Sequence, residues 1–317
     1  MINRPIFSYS KALWKLSRGP FLPMGIFPLV LGFVLAWRWG YQGPLGLYLL
    51  SSGAVILIMW MTYYLAERND LEGDRINQDF NRFSGGSRIL VNGALPLWVP
   101  LLLGYGCLVV ACLSGMTIYL RYQTGPWTLF LGGLGIFFGY FYSEKPFQWS
   151  YRGMGEIFIG FCYGWLPIAT GFYLLTGFFD DQVFLLSIPV GLSVFNVILI
   201  NEFPDEGADR AVGKKNLVVR FGREKTADLY LGLSLLTGLS FVKVLSILGP
   251  GPFWLWVLSG IPLLLIAWNF ILMWKGVDAC PKVINVLCRN GLLTNLMITV
   301  VLTVQQTVTS PVSGRSS

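Results

Sequence analysis

The sequence predicts an all-α polytopic membrane protein with nine transmembrane helices and two Asp-rich motifs in its cytoplasmic loops. Three observations carry this expectation. Hydrophobic residues make up 54% of the 317-residue chain and charged residues 12%, about half the charged share of a soluble protein. Apolar windows of about 20 residues recur along the chain, each long enough to cross a ~30 Å hydrocarbon core. A backbone facing lipid must satisfy its own hydrogen bonds, so the windows read as helices, and the alternation of barrel strands is not seen.

In chain order the spans fall at 21–39, 45–66, 95–119, 126–142, 156–177, 183–203, 229–248, 253–274 and 291–307. Residues 1–20 are basic and mixed and read as an interfacial helix leading into the first span. Residues 21–308 form one transmembrane domain, and 309–317 are a tail. Lys and Arg number four in the N-terminal segment, four in 67–94, two in 143–155, six in 201–228 and three in 275–290. The other side has only Arg38, Arg121 and Arg315. This bias puts the N-terminus and the charged loops in the cytoplasm and the C-terminus outside. The net charge of +7 is therefore orientation bias and gives no argument for nucleic acid. Lys243, near the outer end of its span, snorkels. Glu156 opens a span, where an acid favours the helix dipole.

The sequence contains no histidine, which excludes His bases, His-phosphate intermediates and His metal sites. Its five cysteines (107, 112, 162, 280, 288) have no ligand spacing and read as core residues. Carboxylates are left as the strong anionic ligands.

Two loops match each other, "ERNDLEGDRINQDFNRFSGGSRIL" and "NEFPDEGADRAVGKKNLVVRFGREK". Asp70, Asp74 and Arg75 recur 135 residues later as Asp205, Asp209 and Arg210, again after an even-numbered span. The shared D-x-x-x-D-R reads as an internal repeat, a pattern that commonly puts a site between the halves. Four-residue spacing aligns Asp70 and Asp74, with Asn77, on one helix face, and Asn201, Asp205 and Asp209 on another. Like charges so spaced need compensation, and hard carboxylate oxygens favour Mg²⁺. Pro204 removes the helical bond to Ile200, so the second motif sits on a bent or ending helix. Arg88, Lys145, Arg210, Lys214 and Lys215 supply cations for a phosphate-bearing ligand, and the glycines of "SGGS" let backbone amides approach an anion. Two motifs suit two Mg²⁺ ions on one diphosphate. Arg68, Arg82, Arg220, Arg223 and Lys225 read as topology determinants.

On these residues the chain resembles the UbiA-type intramembrane aromatic prenyltransferases. The resemblance implies nine helices around a central cavity, with Mg²⁺ held alongside an isoprenyl diphosphate by both motifs. The second motif is nearly entire: Asn201, Asp205, Asp209, then "RAVGKKNLVVRFG". In the first, N-D-x-x-D-x-x-x-D-x-x-N, the later acids fall on Asp70 and Asp74 and the later Asn on Asn77, while Ala66 and Glu67 stand at the leading Asn-Asp. An amide oxygen is thereby lost at 66, with Asn69 or Glu67 as replacements. "RGPFLPMGIFPLVLG", "SGGSRIL" and "YSEKPFQWSYRGMGEIFIG" look like the menaquinone-pathway branch. That implies 1,4-dihydroxy-2-naphthoate as acceptor with loss of CO₂, in a prokaryotic inner membrane. Tyr63, Tyr140, Tyr142 and Trp149 are the aromatics near the cytoplasmic span ends that could face an allylic cation.

Competing readings are a UbiA-type enzyme for another acceptor (4-hydroxybenzoate, homogentisate, chlorophyllide, haem or a glycerol-phosphate lipid), a CDP-alcohol phosphotransferase, a secondary transporter and a non-catalytic membrane protein. The phosphotransferase needs one contiguous acidic motif, and a transporter needs polar residues mid-span, where this chain has them at span ends.

Overall fold

The computed structural model describes residues 6–276 and 280–308; the expected tail, 309–317, lies outside the described residues. Among the described residues there are helices and no strands. Helix α1 (Ile6–Leu16) leads through a 3₁₀ turn into α2 (Pro23–Arg38), and α3 (Leu45–Asn69) runs directly into the short α4 (Leu71–Ile76). Next come α5 (Trp98–Tyr122) and α6 (Trp127–Tyr140), then α7 (Gly155–Tyr163) and α8 (Trp165–Thr176), two parts of one span. The second half repeats the first pattern: the long α9 (Asp181–Asn201) is followed by the short α10 (Glu206–Ala211). The chain then forms α11 (Leu217–Leu248), α12 (Phe253–Trp274) and α13 (Pro281–Val308).

Each expected span overlaps a helix, but the count of nine is not reproduced by length. Among the described residues seven helices are long and apolar enough to cross a membrane, or eight if the pair Tyr9–Phe21 and Pro23–Arg38, bent by 48°, is one span. Helix α6 has 14 residues, about 21 Å at 1.5 Å per residue, short of a ~30 Å core. Two boundaries also move. α13 begins at 281 rather than 291 because its first turns are polar sequence that hydropathy does not register, and α11 reaches back to 217 through polar residues and across a kink at Gly222. The loops expected at 201–228 and 275–290 are thus partly helical. The protein is an integral multi-pass membrane protein.

α9, α13 and the α7–α8 span are more than half buried inside the bundle, while α5, α11 and α12 leave more of their surface exposed and α3 is largely half-buried. The exposed Leu49, Leu113, Leu236 and Trp268 suit a solvent as apolar as themselves. The interior is set by Leu35, Phe172, Val190, Phe241 and Leu302, all nearly inaccessible. α2 lies against α8 closely enough that a Cβ on Gly171 would overlap the backbone of Leu29, and one on Gly32 the backbone of Ile168. Dispersion between close backbones replaces the hydrophobic drive that lipid cannot supply.

Gly171→Val should therefore force α2 and α8 apart and cost about 1–3 kcal/mol. The expected reading is a lowered thermal midpoint in detergent, with Gly53→Val, whose Cβ meets nothing within 4 Å, unchanged.

Candidate active site

The two motifs meet at one end of the bundle, where α4 packs against α10. Each sits just past the end of a long helix. Asp70 is the residue between α3 and α4, and Asp205 precedes α10 after the turn containing Pro204. The Asp74 amide bonds the Asp70 carbonyl at 2.8 Å, and the Asp209 amide bonds that of Asp205 at 2.8 Å, so helical spacing survives in both.

The halves hold each other reciprocally. Asn77 Nδ2 donates to Asp205 Oδ1 at 2.7 Å, and the Gly85 N–H donates to Asp205 Oδ2 at 3.2 Å. In return Lys214 Nζ lies 2.9 Å from Asp70 Oδ1 and 3.2 Å from Asp209 Oδ1. Asn216 Nδ2 donates to Asp209 Oδ2 at 2.8 Å, while its own Oδ1 accepts from the Val219 N–H at 3.0 Å and caps α11. Tyr151 adds an O–H donor to Asp70 Oδ1 at 3.2 Å.

Burial, then the charges of Asp70 and Glu67, pushes the Asp74 carboxyl up to about 7 from its ordinary 3.8. Burial and Asp209 push Asp205 up to about 7, although the Gly85 N–H, Lys214 and Asn77 oppose them. Burial disfavours the charge on Lys214, but Asp70 and Asp209 outweigh it and hold the ammonium well above its usual range. Lys214 stays charged.

Beneath the motifs lies a cavity of about 520 Å³. Its polar end is formed by Asp70, Asp74, Asn77, Asn201, Asp205, Asp209 and Lys214. Its body is apolar, with Val55, Ile58 and Met59 of α3 facing the glycine-rich side of α6. From Asp70 to Ser51 it follows α3 for about 28 Å at 1.5 Å per residue. Cys112 and Met116 of α5 and Leu129 and Gly133 of α6 line the cavity and are exposed. The accessible lining on this side is the seam between α5 and α6.

Of the other expected cations, none lines the cavity. Arg88, in the left-handed conformation, donates to the Asp74 carbonyl and lies over the Phe80 ring at 4.2 Å, fixing α4 from behind. Arg210 points outward and pairs with Glu206 at 2.7 Å, one helical turn away. Lys145 and Lys215 are exposed. Two amides of the "SGGS" segment are engaged by carboxylates: Gly85 with Asp205, and Ser87 with Glu67 at 3.0 Å. Glu67 is buried against Ser87 and Arg18, and Asn69 Nδ2 is turned to Glu144 at 2.9 Å. Neither lines the cavity where Ala66 does, so neither replaces the lost amide. Among the four aromatics, Tyr63 and Tyr142 line the cavity, and Tyr140 and Trp149 do not. Glu156 Oε1 accepts from the Leu217 N–H at 2.8 Å, so its charge meets the start of α11 as well as that of its own helix. Sequence reasoning passed over Arg18, Tyr151 and Asn216. Only Asn216, a capping residue directly before an apolar run, carried a local signal.

The sequence model of the UbiA prenyltransferase family matches residues 25–284. The chain belongs to this family. Over 250 residues it is 28% identical to the 1,4-dihydroxy-2-naphthoate octaprenyltransferase of Bacillus subtilis, covering 79% of this chain and 78% of that one. Over 301 residues it is 26% identical to the enzyme of the same name from Escherichia coli, covering 92% and 94%. Among solved structures it resembles a UbiA homolog from Archaeoglobus fulgidus bound to GPP and Mg²⁺, with a TM-score of 0.61, 16% identity and coverage of 92% and 99%. This UbiA-family protein is an enzyme, a prenyltransferase.

The raised carboxyls define a pH dependence for the ligand-free enzyme. A carboxyl held at about 7 when folded and near 3.8 when unfolded lends stability that is complete below 3.8 and lost as pH rises through 7. The thermal midpoint without Mg²⁺ should fall between pH 5 and pH 8. Asp74→Asn or Asp205→Asn should flatten that fall in a differential scanning series.

Proposed function

We propose that this enzyme transfers a polyprenyl group from an isoprenyl diphosphate to 1,4-dihydroxy-2-naphthoate, with loss of CO₂, in a Mg²⁺-dependent reaction. The observation that carries this reading is the joining of both Asp motifs at the polar end of one long apolar cavity. The two curated octaprenyltransferase relatives, similar over most of their length, support the acceptor.

The donor set suits Mg²⁺. Among the described residues no three acidic or Cys side chains converge as a ready-made metal site. Mg²⁺ does not demand one, since it binds through one or two carboxylates plus substrate phosphates and keeps its waters. Asn201 Oδ1 is buried without a hydrogen-bond partner and lines the cavity beside Asp205, a spare hard oxygen. Asp70, Asp74, Asp205, Asp209 and Asn201 would hold the metal, and the Archaeoglobus homolog bound to GPP and Mg²⁺ supports the pairing. When bound, Mg²⁺ supplies neutralisation of the departing diphosphate.

The chain's own residues do the rest. Lys214 carries a positive charge that can turn from Asp70 and Asp209 to a phosphate oxygen. The allylic C–O bond breaks with its electrons leaving on the diphosphate, and the cation is left in the cavity that Tyr63 and Tyr142 line. An electron-rich ring carbon of the acceptor attacks it, and the acceptor's carboxylate leaves as CO₂, the electrons of the broken C–C bond staying with the ring. The apolar wall keeps water from competing, and the seam between α5 and α6 lets a long tail extend into lipid. The positive-inside bias supports a cytoplasmic position for the N-terminus and the motif end, and the bacterial relatives support an inner-membrane location.

Purified enzyme in liposomes, given a polyprenyl diphosphate and a panel of aromatic acceptors, should form prenylated product with 1,4-dihydroxy-2-naphthoate. Product measured by mass spectrometry should vanish with EDTA and fall at least ~100-fold in Asp205→Asn. Turnover undiminished by EDTA would overturn the Mg²⁺ role. A different preferred acceptor would overturn the naphthoate assignment and leave the reaction class standing.

Gly133→Trp, which fills the α5–α6 seam, should depress turnover of long polyprenyl donors while sparing geranyl diphosphate. Equal loss for both lengths in steady-state assays would remove the seam from the tail's path.

A further inference from the structure

The internal repeat extends beyond the Asp motifs to the cavities. Shifting the first half by 135 residues lays α3 on α9, after which α5, α6 and the α7–α8 span correspond in order to α11, α12 and α13. The reaction cavity is walled chiefly by the first set. A second cavity, of about 20 Å³, is walled by the second set, with Asn196, Tyr230, Thr237, Asn269 and Thr294 on its surface. It is the repeat counterpart of the active cavity, reduced to the size of one small molecule.

Polar side chains reach part of its wall, and their hydrogen bonds are incomplete. Asn196 is 7% exposed, and its Nδ2 donates to Ser234 Oγ at 3.1 Å while its Oδ1 is buried with no partner. Tyr230 shares a hydrogen bond with Ser234 and accepts from Asn269 Nδ2 at 3.1 Å. Of the two hydroxyl protons in the Tyr230–Ser234 pair one is used between them, which leaves the other for a guest. Thr237 and Thr294 donate to helix carbonyls at 2.7 and 2.8 Å, so their oxygens remain as acceptors. A cavity needs roughly 10–15 Å³ and two to four polar partners to hold one water. A hard cation would need about six oxygen ligands, carboxylates commonly among them, and no carboxylate lines this cavity.

We infer that this second cavity binds a single ordered water molecule, which donates to Asn196 Oδ1 and ties α9 to α11 and α13 in the membrane interior. Asn196 lies just over one helical turn before Asn201, so the water steadies the end of α9 from which the second motif departs. The inference stands independently of the acceptor or metal at the active site.

The test is an experimental structure of the full chain in lipid nanodiscs at a resolution that displays ordered water, joined to X-ray hydroxyl-radical footprinting of wild type and Asn196→Leu. One isolated density peak within hydrogen-bond distance of Asn196 Oδ1 is expected, with labelling of Tyr230 that is lost in the variant. An empty cavity in the wild-type density overturns the inference. So does a peak enclosed by a full oxygen shell at cation distances, or Tyr230 labelling that the substitution leaves unchanged. If Asn196→Leu does not fold, the wild-type density alone decides.

Discussion

Lys214 is the constraint on which the site depends. Its ammonium lies between Asp70 of one motif and Asp209 of the other, at 2.9 and 3.2 Å, in a place where an isolated buried charge would cost several kcal/mol. Aspartates from two halves of the chain meet across it. Without an internal cation their repulsion, strengthened by the low dielectric beneath them, would drive α4 and α10 apart. The lysine is also the one cation of the "GKK" pair that faces inward, which makes it the structural counter-charge.

The rest of the architecture follows from delivering those carboxylates to the top of an apolar cavity without burying them in lipid. α3 and α9 each end at the motif, and a short helix carries the second aspartate across the opening. The turn at Pro204 and the junction at Asp70 free the backbone to bend while the aspartates stay one helical turn apart. Asn77 and Gly85 from the first half grip Asp205, and Lys214 from the second grips Asp70, so neither motif is formed without the other. The halves have diverged below this point. The first opens a cavity some 28 Å long, made possible by the glycines of α6, whereas the second is filled by asparagines and hydroxyls that bond one another.

Much of this was legible in the sequence because the signals are local. Apolar runs mark the spans, and carboxylates four apart mark a helix face whatever surrounds them. The repeat was legible for the same reason. What escaped is non-local or directional. Adjacent Lys214 and Lys215 look alike in sequence, yet one is buried between carboxylates and the other is exposed. Arg210 sits beside Asp209 and points the opposite way, to Glu206. The pairing of Glu67 with Arg18 joins residues far apart in the chain, so Glu67 reads as a candidate ligand until its partners are seen. Helix α6 was placed correctly but is too short for a full crossing, and the starts of α11 and α13 were set too late because hydropathy follows apolar content and not helix.

The central claim is that the two motifs form one anionic site completed by a diphosphate. Calorimetric titration of Mg²⁺ into the purified enzyme, with and without a non-cleavable prenyl diphosphate analogue, tests it most directly. The account predicts weak Mg²⁺ binding alone and strong binding of two ions per chain with the analogue, the synergy being lost in Lys214→Met. Mg²⁺ binding that is equally tight without the analogue, or untouched by loss of Lys214, would contradict it.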